Sequence, residues 1–262
     1  LTAIGVARGS IFGAVVKAAL PTLCAVIVVP SSGLAAAPAH RAEVQINLCS
    51  TPEEVVKALQ LEPVGAERYD VWYFDTADMA LFRKGTVVRL RIKAHAAAEL
   101  TLKFADQNCS RVNRALLPAQ QSKCEYDVRG ALVTGAVSIS KTLNEDQVRA
   151  LMAKPGDLQA LLSRGQIGFL RDGASAWPLP APLLLLGPVR VQPYRQKGDR
   201  SVVEAWQFNS GKQLLELSQK TKLSNAHDLN VGLQARLTRH RVAICRDQGS
   251  PAGAKLQDLL GR

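Results

Sequence analysis

The run Val88-Arg89-Leu90-Arg91-Ile92-Lys93 constrains this chain more than any other stretch. Arg89, Arg91 and Lys93 alternate one for one with Val88, Leu90 and Ile92. In an extended strand successive side chains point to opposite faces, so three cations line one face while three aliphatics pack on the other. Beyond a turn near Ala96–Ala98, Glu99-Leu100-Thr101-Leu102-Lys103 alternates again. It reads as the hairpin partner, which lets Lys103 join the basic face. Taken alone, such a row has a plain meaning, the solvated outer face of a sheet.

The rest of the chain supplies context. Its 262 residues allow one large domain or two small ones, with enough chain for a sizeable core. Residues 1–39 differ in kind. Arg8 and Lys17 are their only charges, Ile11–Val29 is almost wholly apolar, and Ala35-Ala36-Ala37-Pro38-Ala39 follows. This pattern reads as a secretory signal cleaved after Ala37 or Ala39, with a retained single span as the rival. Lys17 and Pro21 interrupt the run, and its longest clean stretch falls short of the ~20 residues a span needs. The expected organisation is therefore a signal over 1–39 and one domain over 40–262, periplasmic or secreted, with no span once the signal is removed.

Net charge is +11, which favours anionic partners. Nucleic acid is the weaker class, because no basic helix is interleaved with aromatics and aromatics make up only 5% of the chain. Cys49, Cys109, Cys124 and Cys245 follow the expected signal, and export would place them where disulfides persist. Four cysteines permit three connectivities. Cys109 and Cys124 flank the Ser110–Lys123 loop and form the favoured pair, leaving Cys49 and Cys245 over. None has the spacing of a zinc site.

Tyr73-Phe74-Asp75-Thr76-Ala77-Asp78 precedes the basic strand, followed by Leu81 and Gly85; Thr101-x-Lys103 closes the block. In order, spacing and residue type this block resembles the CYTH family of triphosphate tunnel metalloenzymes. The resemblance implies an α+β domain: a tunnel walled by antiparallel strands, with peripheral helices. Inward Arg and Lys would grip a triphosphate, and inward carboxylates would hold a divalent metal, Mg²⁺ or Mn²⁺. Arg supplies a rigid fork of donors suited to phosphate oxygens, and Lys a mobile point charge. The implied phosphate contacts are Arg89, Arg91, Lys93 and Lys103, with Arg190 and Arg195 from later strands. The implied metal ligands are Glu43, Glu125, Asp127 and Glu216.

The chain departs from the family pattern at informative positions. The first strand of the family carries Glu-x-Glu-x-Lys; here Glu43, Gln45 and Asn47 stand instead. Gln45 offers a carbonyl oxygen but no charge, and Asn47 cannot act as a base. Lys123-x-Glu125-x-Asp127 keeps two acids, whereas the late Glu-x-Glu becomes Glu216-x-Ser218. The expected function is binding, with metal-dependent hydrolysis, of a triphosphate or short polyphosphate. The alternative is a non-catalytic exported module for phosphate-bearing or other anionic ligands. If an enzyme, it would be a triphosphatase-like phosphohydrolase with degenerate metal and base positions. No Gly-rich phosphate loop, Ser-His-Asp order or metal-binding His pair offers a competing class.

Local signals place the remaining elements. Thr51-Pro52-x-Glu54 starts a helix running to about Gln60, and Asp75 and Asp78 read as turn or cap residues. Asn144 caps a helix to Ala153, and Asp157–Leu162 forms a second short one. A hairpin turns at Asn209-Ser210-Gly211, and Leu229, Leu233 and Leu237 mark a helix stripe. Lys255–Leu260 reads as a short terminal helix outside the tunnel.

Overall fold

The computed structural model describes residues 40–65, 68–93, 97–112, 121–174, 176–249 and 251–261. The expected signal over 1–39 lies outside the described residues. Ten strands form: β1 (Arg41–Leu48), β2 (Glu62–Pro63), β3 (Tyr69–Asp75), β4 (Thr86–Lys93), β5 (Ala98–Phe104), β6 (Ser122–Arg129), β7 (Leu132–Leu143), β8 (Leu184–Arg195), β9 (Val202–Gln207) and β10 (Gln213–Lys222). The helices are α1 (Pro52–Leu59), α2 (Ala80–Arg83), α3 (Glu145–Ala153), α4 (Leu158–Leu161), α5 (Arg164–Gly168), α6 (Ala226–Arg239) and α7 (Pro251–Leu259).

Nine strands run β8-β3-β4-β5-β7-β6-β1-β10-β9, and β9 pairs back onto β8, closing a barrel. Closure removes the free edges an open sheet would expose. The two-residue β2 sits beside β8, outside the ring. Every barrel pair is antiparallel except β1 with β6, which is parallel and sets Glu43 opposite Asp127. That junction makes the barrel mixed, where the sequence led to an all-antiparallel wall.

The alternation has its counterpart in two surfaces. Outward residues form the apolar core between barrel and helices. Val88, Leu90, Leu100, Leu102 and Ile139 pack with Leu151 of α3, Leu158 of α4 and Phe169. Val44, Ile46 and Leu48 of β1 pack with Val55 and Leu59 of α1 and Leu233 and Leu237 of α6. Each such side chain contributes roughly 1.5–3 kcal/mol on burial, so the helical coat stabilises the wall and leaves the inner face to polar residues.

Caps hold the helices where the sequence signals put them. Thr51 and Glu54 form a reciprocal capping box on α1, as do Asn144 and Gln147 on α3. Asp75 accepts from the backbone N–H groups of Leu81 and Phe82 at 2.9 and 3.0 Å, fixing the start of α2. It is a cap residue, as read.

Candidate functional site

The barrel interior holds a cavity of about 1000 Å³. Among the described residues ten lysines and arginines and seven acids line it, a surplus of three positive charges. The basic row of β4 lies on this inner face: Arg89, Arg91 and Lys93 all line the cavity, together with Lys103 of β5. The β4–β5 register pairs Arg89 with Thr101 and Val87 with Lys103, which brings Lys103 to the same face.

Two arginines side by side are poorly compensated. Burial and the adjacent Arg91 push the Arg89 guanidinium below its ordinary pKa. Arg91 lies over the Tyr69 ring, 4.5 Å from its centroid, while the Tyr69 hydroxyl donates to Glu204 Oε1 at 2.6 Å. Burial, reinforced by Glu204, drives the Tyr69 pKa up and keeps the phenol protonated. Arg91 Nε and Trp206 Nε1 are buried donors without an acceptor, and both residues line the cavity. Buried donors are normally satisfied. These two atoms expose almost no surface, so they lie sealed within the cavity wall.

The four implied metal ligands also reach this interior, but cations hold three of them. Lys103 Nζ donates to Asp127 Oδ2 at 2.5 Å, and Lys123 Nζ pairs with Glu125 Oε2 at 2.5 Å. Arg129 pairs with Glu216 Oε2 at 3.0 Å, both side chains about nine-tenths buried. Glu43 accepts from Gln45 Nε2 at 3.3 Å, and burial raises its carboxyl pKa. Burial also pushes the Glu216 carboxyl upward, but Lys255, Arg129 and Lys103 outweigh it and hold the pKa below the ordinary range. At Glu125 burial acts the same way and is outweighed by Lys123, Lys220 and Arg41. Among the described residues no three His, Cys, Asp or Glu side chains converge into a group that could hold a metal ion. The donor set does not fit a divalent metal site of the kind the resemblance implies, because such ions need several charged oxygens free to face them.

One of the candidate residues, Arg190, falls in another place than expected, and one unexpected element enters. Arg195 of β8 lines the cavity, as does Pro193 two residues before it. Arg190 stands on the opposite parity of that strand. It is exposed and borders a separate cavity of about 250 Å³ with Arg68, Gln192 and Tyr194. It is therefore not part of the tunnel, because an odd offset along a strand changes the face. The terminal helix is not outside the tunnel either. Leu256 of α7 packs with Trp206 and Phe208, and Asp258 accepts from Ser210 at 3.0 Å. This docking carries Lys255 into the cavity, with Nζ 3.1 Å from the Trp206 ring centroid. Burial lowers the Lys255 ammonium to about 8 against the pull of Glu216 and Glu204.

Arg129, Lys220, Lys255, Glu204 and Trp206 all line the site and were not singled out from the sequence. Arg129 and Lys220 carried a usable signal. Arg129 extends the Lys123-Glu125-Asp127 parity by one step, and Lys220 extends that of Glu216 and Ser218. The disulfides are Cys109–Cys124, as favoured, and Cys49–Cys245, which joins the two cysteines left over.

Fold and site together define a closed barrel with a cation-rich interior, the tunnel architecture that the CYTH resemblance implies. The fold is similar to that of a putative adenylyl cyclase from Hippeastrum described as having a dominant triphosphatase activity. That likeness has a TM-score of 0.57 at 16% identity and covers 83% of this chain and 96% of that one. A putative adenylate cyclase from Bacillus halodurans is similar at a TM-score of 0.53 and 15% identity, covering 80% of this chain and 96% of that one. No protein-family model matches the sequence, and no curated protein is similar to it.

Proposed function

We propose that the tunnel binds a triphosphate or short polyphosphate chain, gripped by Arg89, Arg91, Lys93 and Lys103 with Arg195 at its rim. The observation that carries this reading is the convergence of Arg89, Arg91, Lys93 and Lys103 from two paired strands on one cavity, whose described wall carries net positive charge. A linear chain of phosphates supplies many acceptors along one axis, which matches cations spaced every second residue along β4. The two disulfides fit an oxidising compartment, in keeping with an exported protein.

Binding without efficient turnover is the form of this function that the wall supports best. Glu125, Asp127 and Glu216 are each engaged by a cation, and Asn47 stands where the family has a basic group. Hydrolysis is the second reading, favoured by the triphosphatase activity described for the Hippeastrum protein and by Glu43, which has no ion-pair partner among the described residues.

Calorimetric titration with inorganic tripolyphosphate tests the proposal. Arg89→Ala or Arg91→Ala should each weaken binding by about 1.5–3 kcal/mol per charged hydrogen bond lost, with Arg190→Ala unchanged as the internal control. Unchanged affinity in both tunnel variants would overturn it. Phosphate release with Mg²⁺ or Mn²⁺ should stay below the ordinary enzyme range of ~1–10³ s⁻¹. Turnover within that range, abolished by Glu125→Gln, would establish the second reading instead.

A further inference from the structure

Arg129 ends β6 at the acid-bearing side of the tunnel, and its guanidinium is buried among the positions where this chain departs from the family pattern. Its Nη2 donates to Gln45 Oε1 and to Glu216 Oε2, the latter at 3.0 Å; its Nη1 donates to Asn47 Oδ1 at 3.3 Å. Each partner suits a cation supplied by the protein. Gln45 accepts from Arg129 and, through Nε2, donates to Glu43. A glutamate at this position could not do both, and would set a second carboxylate beside Glu43. Asn47 accepts from Arg129 through Oδ1 while its Nδ2 donates to the backbone carbonyls of Asp247 and Gly249 at 3.4 and 3.3 Å. A lysine there would press a like charge against the guanidinium. The substitutions at 45 and 47 and the arginine at 129 thus form one hydrogen-bonded set.

We infer that Arg129 stands in for the divalent metal of this fold, so that the tunnel takes its anion metal-free. Arg129 is the specificity-determining residue for that mode. This deepens the phosphate-chain reading and rests on it. A divalent ion entering among Glu43, Gln45 and Glu216 would meet the guanidinium already there. It could recruit Glu216 only by breaking a buried charge-assisted pair, which would leave Arg129 buried without its carboxylate partner. A phosphate oxygen meets the opposite situation: a guanidinium oriented by three acceptors on two strands, with Lys255 as a second cation on the same wall.

Three measurements on the full-length chain decide the matter. Tripolyphosphate titrated calorimetrically in EDTA should bind, and added Mn²⁺ should leave the affinity unchanged or lower it by competing for the free ligand. Binding that requires Mn²⁺, or is raised roughly tenfold by it (about 1.4 kcal/mol), overturns metal independence while leaving the tunnel reading standing. No binding in either medium overturns the tunnel reading and this inference with it. Mn²⁺ titrated alone and followed by electron paramagnetic resonance should show no bound ion at roughly tenfold excess over protein; a bound ion overturns the inference whatever the ligand. Arg129→Gln, checked for folding by circular dichroism, should lose roughly tenfold in EDTA affinity, and wild-type affinity in the folded variant would refute the assigned role. If that variant does not fold, the two wild-type measurements decide.

Discussion

Lys255→Met should make the protein more stable at neutral pH and a poorer phosphate binder, and the size of the gain follows from the site. Lys255 is 5% exposed, and burial lowers its pKa from 10.5 to about 8. The folded chain therefore carries this charge at pH 7 at a cost of about 3 kcal/mol relative to the unfolded chain, at 1.36 kcal/mol per pKa unit. The sign follows from proton counts. Between pH 8 and 10.5 the unfolded state holds the Lys255 proton and the folded state has released it. Stability therefore rises with pH across that window and the penalty is fully present below it. A methionine fills the same space beside Trp206 without the charge, so the variant should gain most of those ~3 kcal/mol at pH 7. For a domain of this size that corresponds to about 6–12 °C in melting temperature. Urea unfolding followed by tryptophan fluorescence, at steps from pH 7 to 10.5, measures it. The difference between wild type and variant isolates Lys255 from the tyrosines, whose raised pKa values act at higher pH. A destabilised variant at pH 7, or a difference that does not shrink from pH 8 upward, would refute the reasoning. Tripolyphosphate binding by the wild type should also lose one cation's contribution as pH rises through about 8, a loss that Lys255→Arg abolishes because arginine stays charged.

The other predictions concern the frame around the tunnel. An ideal Cβ on Gly135 would lie 1.8 Å from the Gln107 carbonyl oxygen, in the loop that follows β5. Gly135→Ala should therefore destabilise by roughly 3 kcal/mol, the upper end for overpacking, measurable by thermal melting; a neutral effect would show that this close approach is not real. Peptide mapping without reductant should recover Cys109–Cys124 and Cys49–Cys245, which close separations of 15 and 196 residues. Their stabilisation is about 3 and 5 kcal/mol in the chain-entropy model. Free thiols at these positions in material from an oxidising compartment would contradict the pairing.

What the sequence determined by itself is local and periodic. The Arg89-x-Arg91-x-Lys93 run declared a two-faced strand, because side-chain direction reverses at each residue and needs no distant partner. Thr51 with Glu54, and Asn144, announced helix starts through bonds that close within one turn. Cys109 and Cys124 bracket one loop and found each other. β7 was not singled out, although its inner face carries Thr134, Ala136, Ser138 and Ser140 along the tunnel wall. The signal was present: Ser138, Ser140 and Thr142 alternate with Val137, Ile139 and Leu143, which are buried on the outer face.

Tertiary structure decided the rest. Nothing near Lys255 in sequence distinguishes an outer helix from one docked against Trp206 and Phe208. That placement depends on strands closed around a barrel and on a segment bound to β1 by Asn47 and the Cys49–Cys245 bridge. The charge partners were hidden for the same reason. Arg129 finds Glu216 across 87 residues and Gln45 across 84, through strands brought together only when β1 enters between β6 and β10. Periodicity tells which side of a strand a charge faces; only closure of the barrel determines which charge it meets there.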